Sequence, residues 1–206
     1  TQKQIAKALD VDIDNVNVIP TYLGGGFGRR LNTYHAIHAV QMSKAVGKPV
    51  KYFFTRQEEF QNDMFRPPTH HIMKGKLNSE GLIANLEHHF ASGNVATDSV
   101  LLPNITNKLL GADLGAIRGG SIHYSGIKNR RAVQWHTPLP FATSWWRSLG
   151  LLANTFAIES FVDELALKGN KNPIELRLAQ IQENEEGIRL KNVIQKAQKE
   201  SNYSDV

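Results

Sequence analysis

The sequence predicts an α+β fold. Three observations carry this: a glycine-rich loop leading into a helical period and then a β-branched run, two alternating segments joined by a glycine turn, and a C-terminal third with helical spacing. Residues 2–9 place Ile5, Ala8 and Leu9 at i, i+3 and i+4, the stripe of an amphipathic helix, and residues 16–19 read as a short strand. After Leu23-Gly24-Gly25-Gly26-Phe27-Gly28-Arg29-Arg30, a helix is expected from about Leu31 to Val46, stopped by Gly47 with Pro49 just beyond. Residues 50–55 then read as a buried strand. This order makes a β-loop-α-β unit, with the glycine loop at the end of a strand and the start of a helix.

Residues 72–77 and 82–90 flank the turn Asn78-Ser79-Glu80-Gly81, and Leu82, Ala84 and Leu86 alternate, so a β-hairpin is expected. Residues 94–127 are rich in turn formers and read as a long irregular connection, a length often tied to function. Residues 130–136 form a further strand ending at Thr137-Pro138. Leu151, Thr155, Ile158, Val162 and Leu165 run at i, i+4, i+7, i+11 and i+14, which marks a long helix ended by Gly169. Asn172-Pro173 starts another helix with proline at its first position, and Leu190, Val193, Ile194 and Ala197 define a last one. The 206 residues form one unit which divides, if at all, into 1–93 with the loop and hairpin and 128–206 with the helices.

Composition excludes several kinds of chemistry. With no cysteine among 206 residues there is no disulfide framework, zinc ribbon, thiol nucleophile or thiolate-held iron–sulfur cluster on this chain. No stretch approaches the roughly 18 uninterrupted apolar residues of a membrane-spanning helix, since Arg147 and Glu159 bound and interrupt the best candidate. A net charge of +5 is mild, and the Lys and Arg residues are dispersed rather than clustered with aromatics, which argues against a nucleic-acid-binding module. The run Lys128-Asn129-Arg130-Arg131 reads as a solvated strand end. His35 and His38 lie at i, i+3 without a third ligand, and the neighbours His70-His71 and His88-His89 point to opposite faces of their strands, so the histidines read as structural. Glu159 and Asp163 are one helical turn apart. Beside Ile158 and Val162, Glu159 reads as a structural acid satisfied by backbone or by an arginine such as Arg147.

Consecutive glycines let main-chain N–H groups approach a ligand without side-chain obstruction, and before a helix they offer a site for an anion or oxo group. Arg29 and Arg30 add positive charge. A nucleotide-hydrolase phosphate loop would need Gly-Lys followed by Ser or Thr, which is missing, and a dinucleotide fingerprint would need glycine where Arg29 stands. Phe27 argues against a bare turn, because a large ring in a tight loop usually packs on something specific.

Several segments together resemble the molybdenum-cofactor subunit of the xanthine oxidase and aldehyde oxidase family, most nearly the isoquinoline 1-oxidoreductase beta-subunit branch and its membrane-associated aldehyde dehydrogenase relatives. They are Gly24-Gly25-Gly26-Phe27-Gly28-Arg29-Arg30, Phe65-Arg66-Pro67-Pro68, Trp146-Arg147-Ser148-Leu149-Gly150, the run from Asn154 to Ala166, and Asn172-Pro173-Ile174-Glu175-Leu176-Arg177. Five collinear pieces are hard to obtain by chance.

The resemblance implies hydroxylation at carbon in a bacterial oxidoreductase acting on N-heterocycles or aldehydes. Water supplies the oxygen, a molybdenum centre takes a hydride equivalent and electrons leave through iron–sulfur clusters. It implies molybdopterin in its cytosine dinucleotide form, a small iron–sulfur subunit, a cytochrome acceptor and the remainder of the molybdenum subunit as partners, and either periplasm or cytoplasm as location. It places Gly24, Gly25, Gly26, Phe27, Gly28 and Arg29 at the cofactor, with Arg147 near the active site and Gln2 at the glutamine beside the molybdenum oxo group. A guanidinium suits such a place, since it stays charged and donates in a fixed fork. The family's base is a glutamate in a later glycine-rich segment, which nothing after Gly187 supplies, so the catalytic base is unassigned and the isolated chain is expected to be inactive and empty of metal. The helical period at residue 2 without a lead-in is read as the mark of a piece of a longer protein. The alternative is a structural or interaction domain of the same fold.

Overall fold

The computed structural model of the chain describes residues 1–96, 109, 111–121, 124–201 and 203. Helix α1 spans Gln2–Leu9, and Asp10 closes it in a left-handed conformation, φ 54°. Helix α2 spans Tyr34–Val46 and ends at Gly47, φ 66°, as its sequence requires. Gln4 and Thr33 join α1 to the start of α2 through a side-chain hydrogen bond of 2.5 Å.

The expected β-loop-α-β unit does not form among the described residues. Residues 16–19 and 50–55 enter no strand ladder there. Both contain β-branched and aromatic residues, but a strand exists only where a partner takes its backbone hydrogen bonds. The second segment keeps the period of two: Tyr52 and Phe54 meet His38 edge-on at 5.9 and 6.2 Å between ring centroids, while Phe53 turns outward. The loop also does not lead straight into a helix. A single 3-10 turn at Arg29–Leu31 intervenes, because Asn32 is buried in an extended conformation and its amide donates to Ser144 Oγ at 2.7 Å. Helix α3, Arg56–Asn62, was not expected, although Thr55 and Glu58 build a capping box with Glu58 Oε2 accepting the Thr55 N–H at 2.7 Å.

The hairpin forms as expected. Strands β1 (Thr69–Leu77) and β2 (Ile83–Ser92) pair antiparallel, and Asn78 Oδ1 accepts from the Glu80 and Leu82 amides in the turn, where Gly81 takes φ 74°. Strand β3 (Asn129–His136) lies parallel to β2, giving the order β1-β2-β3. Helix α4 (Leu114–Ile117) falls within the stretch read as irregular, part of which lies outside the described residues. Helices α5 (Leu151–Lys168), α6 (Pro173–Ala179) and α7 (Glu185–Glu200) complete the chain, α6 and α7 being capped by the side chains of Asn172 and Asn184.

One face of the sheet packs on α5. Gly75 makes this possible, since a methyl group there would sit 2.7 Å from a Leu165 methyl carbon. Leu86, Ile127, Ile158, Val162, Leu176 and Ile181 form the core, with Leu190 and Ile194 of α7 partly buried against it, so α7 docks on this fold. At about 25 cal/mol per Å² of apolar surface, burying one such side chain contributes roughly 2 kcal/mol. The opposite sheet face is open, with Ile72 half exposed and Trp135 exposed.

Candidate functional site

The glycine loop carries two conformations that other residues resist. Gly28 has φ 88°, and a Cβ there would lie 3.1 Å from both the carbonyl carbon and oxygen of Trp145. Gly25 sits under the Phe27 ring, where a Cβ would approach Cε2 to 2.8 Å. Phe27 itself is left-handed, φ 51°, and the residue is 64% exposed. The loop therefore presents an apolar ring and glycine backbone outward, while Gly28 presses against the chain two residues before Arg147. Gly24 has open space where a side chain would be, and a Cβ on Gly26 would touch only the Arg30 side chain.

Arg29 turns away from the loop to pair with Asp63, which offsets its charge. The two arginines still act on α2: burial first, and then Arg29, Arg30 and His38, hold His35 below the usual imidazole range. Gln2 lies at the start of α1 with its carboxamide nitrogen donating to the carbonyls of Val16 at 2.7 Å and Ile13 at 3.2 Å. These contacts tie down the 13–16 turn rather than the glycine loop.

Arg147 is exposed and begins an unusual turn, because Ser148 and Leu149 are both left-handed at φ 75° and 54°. Such angles cost L-residues with a Cβ about 1–2 kcal/mol each. Gly150 follows, its amide donating to Gly115 O at 2.9 Å, and starts α5. The segment at 63–66 bridges the loop and this turn. Phe65 N–H donates to Ala142 O and Phe65 O accepts from Ser144 N–H, at 3.0 and 3.2 Å, while Asn32 reaches Met64 Sδ as well as Ser144. A cavity of about 300 Å³ opens beside this bridge, lined by Arg29, Tyr34, His38, Phe54, Glu59 and Asp63 among others. The Trp145 indole N–H is buried and has no hydrogen-bond partner among the described residues, on the same residue whose backbone meets Gly28.

Away from the loop, Glu159 is satisfied by an arginine as expected, but that arginine is Arg177, not Arg147. Glu159 and Asp163 share the face of α5 toward α6, where Arg177 reaches both, at 2.9 and 2.6 Å, and Tyr124 OH donates to Glu159 at 2.6 Å. Burial, and then this carboxylate, push the Tyr124 phenol well above its usual range. Two further arrangements were invisible in the sequence. Asp113, fully buried, accepts from the amides of Val95, Ala96, Gly115 and Ala116. His71 Nδ1 lies 2.9 Å from His88 Nε2, with the rings stacked at 5.2 Å. The adjacent pairs do split across faces, but antiparallel pairing brings one member of each together diagonally. Among the described residues no group of three or more His, Cys, Asp or Glu side chains could hold a metal ion.

The sequence matches the model of the molybdopterin cofactor-binding domain over residues 1–181. It is 33% identical over 180 residues to a membrane-bound aldehyde dehydrogenase (pyrroloquinoline-quinone) of Gluconacetobacter polyoxogenes, covering 84% of this chain and 23% of that protein. It is 28% identical over 187 residues to the isoquinoline 1-oxidoreductase subunit beta of Brevundimonas diminuta, covering 85% of this chain and 22% of that one. The fold superposes on the aldehyde oxidoreductase of Desulfovibrio gigas with a TM-score of 0.74 and 20% identity, over 97% of this chain and 22% of the other. The chain thus spans less than a quarter of the length of these relatives.

Proposed function

The chain belongs to the molybdopterin cofactor-binding domain family, and on that footing we propose that it forms one wall of the cofactor pocket in a molybdenum hydroxylase acting on aldehydes or N-heterocycles. The observation that carries this reading is the packing of Gly28 on the Trp145 backbone, which joins the glycine loop to the segment bearing Arg147. Two independent parts of the chain converge on one place. The residues fit a polar, anionic group: glycine backbone open to an approaching ligand, a buried indole N–H lacking a partner among the described residues and an exposed guanidinium nearby in sequence.

In this reading Gly24, Gly25, Gly26 and Gly28 offer backbone to the cofactor, Phe27 covers it with an apolar ring and Arg147 donates to oxygen atoms of cofactor or substrate. Arg29 borders the same site by fixing the loop through Asp63, whereas Gln2, whose carboxamide is held by the Val16 and Ile13 carbonyls, is assigned to it by the family resemblance alone. The bound cofactor supplies a two-electron acceptor for hydroxylation at carbon with oxygen from water. What this chain contributes is orientation, exclusion of water by Phe27 and hydrogen bonding by Arg147; the proton-abstracting base is assigned to none of its residues. The cytosine dinucleotide form of the cofactor, an iron–sulfur subunit and a cytochrome acceptor belong to the same proposal.

Elemental analysis of the complete enzyme containing this sequence tests it. Stoichiometric molybdenum, with cytidine monophosphate released by mild hydrolysis, is the expected result. A preparation active on aldehydes that holds pyrroloquinoline quinone and no molybdenum overturns the reading. Metal-free behaviour is expected of residues 1–206 alone, and stoichiometric molybdenum with turnover in that piece would overturn the one-wall assignment.

A further inference from the structure

We propose that Arg66 is a positioning residue for Arg147. The guanidinium spans the turn from below: Nη2 donates to Arg147 O at 2.7 Å and Nη1 donates to Leu149 O at 3.2 Å. Those two carbonyls flank Ser148, the first of two consecutive left-handed residues. Left to itself, a turn with two such residues would relax toward ordinary angles and carry Arg147 with it. A planar fork with two N–H groups in fixed directions opposes that, because it satisfies both carbonyls only while they stay on one side of the turn. A lysine ammonium has three N–H groups on one freely rotating nitrogen, so it would hold the two carbonyls less rigidly.

Arg66 is itself anchored. Phe65 is bonded on both sides to residues 142 and 144, Pro67 is buried, and Asp63 and Met64 hold the glycine loop through Arg29 and Asn32. Residues 63–66 therefore act as a strap that grips the loop with one end and the Arg147 turn with the other. A displacement of the strap would move both parts of the proposed wall together. This inference rests on the reading of Arg147 as part of the cofactor pocket.

The test compares Arg66→Gln, Arg66→Lys, Arg147→Gln and the double variant R66Q/R147Q in the complete, molybdenum-loaded enzyme, with metal content and circular dichroism confirming loading and fold. If Arg66 acts through Arg147, R66Q lowers kcat at least tenfold and the double variant loses no more than R147Q alone. Backbone amide exchange supplies a second readout. The N–H groups of Leu149, Gly150 and Leu151, bonded to Trp146, Gly115 and Ser148, should exchange at least tenfold faster in R66Q, with R66K intermediate, while those of β1 and β2 stay unchanged. Unchanged exchange at those three amides overturns the proposal, as do losses that multiply in the double variant. If R147Q alone leaves turnover intact, the pocket reading fails and takes the positioning role with it, and faster exchange in R66Q then identifies only a structural strap. If R66Q does not fold, the R66K comparison with R147Q decides the same question.

Discussion

Arg177 Nε lies 2.9 Å from Glu159 Oε2, the same oxygen that accepts the Tyr124 hydroxyl at 2.6 Å. One carboxylate thus fastens α6 and the chain before β3 to the middle of α5. Replacing Arg177 with Met leaves a partly buried carboxylate without its cation. A loss of about 2 kcal/mol is expected, below the range for a fully buried pair because Glu159 keeps some solvent. Urea unfolding measures it. Glu159→Gln in the complete enzyme should cost less and keep turnover per bound molybdenum. A folded, metal-loaded E159Q enzyme that loses turnover alone would make Glu159 a catalytic group.

Asp113→Ala should be among the most damaging single changes, at roughly 3 kcal/mol. Its two oxygens serve four buried or nearly buried amides, and alanine leaves these donors unsatisfied without access to water. Asp113→Asn keeps one acceptor oxygen and should recover about half of the loss. Equal midpoints for both variants in urea would show that charge rather than acceptor number matters.

What the sequence shows about this fold follows a physical line. Elements stabilised locally were legible: α5 by its apolar period, the hairpin by alternation and Asn78-to-Gly81 turn chemistry, α6 by Asn172-Pro173. The segments at 16–19 and 50–55 have strand composition, yet composition states a preference, and no pairing partner meets it among the described residues. Helix α3 was readable in its capping box but carries little apolar period, being exposed along its length. In the candidate site, the loop and the Arg147 turn were each recognisable as motifs. Their junction through Gly28 and Trp145, and the bridging by Asp63 to Arg66, join residues up to 117 positions apart, which no local pattern records.

The stacked histidines should give the fold a pH dependence. His88 Nδ1 lies 3.0 Å from the Gly120 carbonyl and so carries the proton, which leaves Nε2 to accept from His71 Nδ1–H. Burial first, and then His88 and His70, lower His71 from 6.5 to about 4, and burial likewise lowers His88. Between those values the unfolded chain binds the extra proton and the folded chain does not. The stability linked to neutral His71 is therefore complete above about pH 6.5 and is lost as pH falls toward 4. Because His71 is partly solvated, the effect should be on the order of 1 kcal/mol. Urea midpoints at pH 7.5 and 4.5 measure it, and His71→Leu should flatten the difference; an unchanged slope assigns the pH dependence elsewhere.

Gly150→Ala separates packing from flexibility at the start of α5. The φ there is an ordinary −65°, so alanine meets no backbone strain, but a methyl group would overlap the Ala116 carbonyl oxygen. That oxygen also accepts from Asn154 Nδ2, so it cannot retreat freely. A loss of about 3 kcal/mol, at the upper end for overpacking, is expected in urea unfolding. A near-neutral G150A would mean that α4 moves aside easily, and the turn carrying Arg147 would then be less firmly placed than its contacts indicate.

Gly28→Ala probes the junction itself. Two costs act together, a positive φ of 88° and contacts of 3.1 Å with the carbonyl carbon and oxygen of Trp145. Neither can be relieved by a side-chain rotation, since both partners are backbone. The loop should therefore lift from residue 145 while the core around Ile158 and Leu176, which it does not touch, remains intact. Global stability should fall by only about 1–2 kcal/mol, the ordinary cost of a left-handed angle in a residue with a Cβ. If the proposed cofactor wall is correct, molybdenum content of the complete enzyme should fall several-fold, because its two parts, the glycine loop and the Arg147 segment, no longer meet. Gly47→Ala provides the control: it has φ 66° and open space for a methyl group, so it carries the same backbone penalty at the end of α2 without a contact to disturb. If G28A and G47A lower stability alike and both retain full metal, the Gly28–Trp145 contact is only a packing feature. If G28A alone loses metal, the junction is what holds the cofactor wall together.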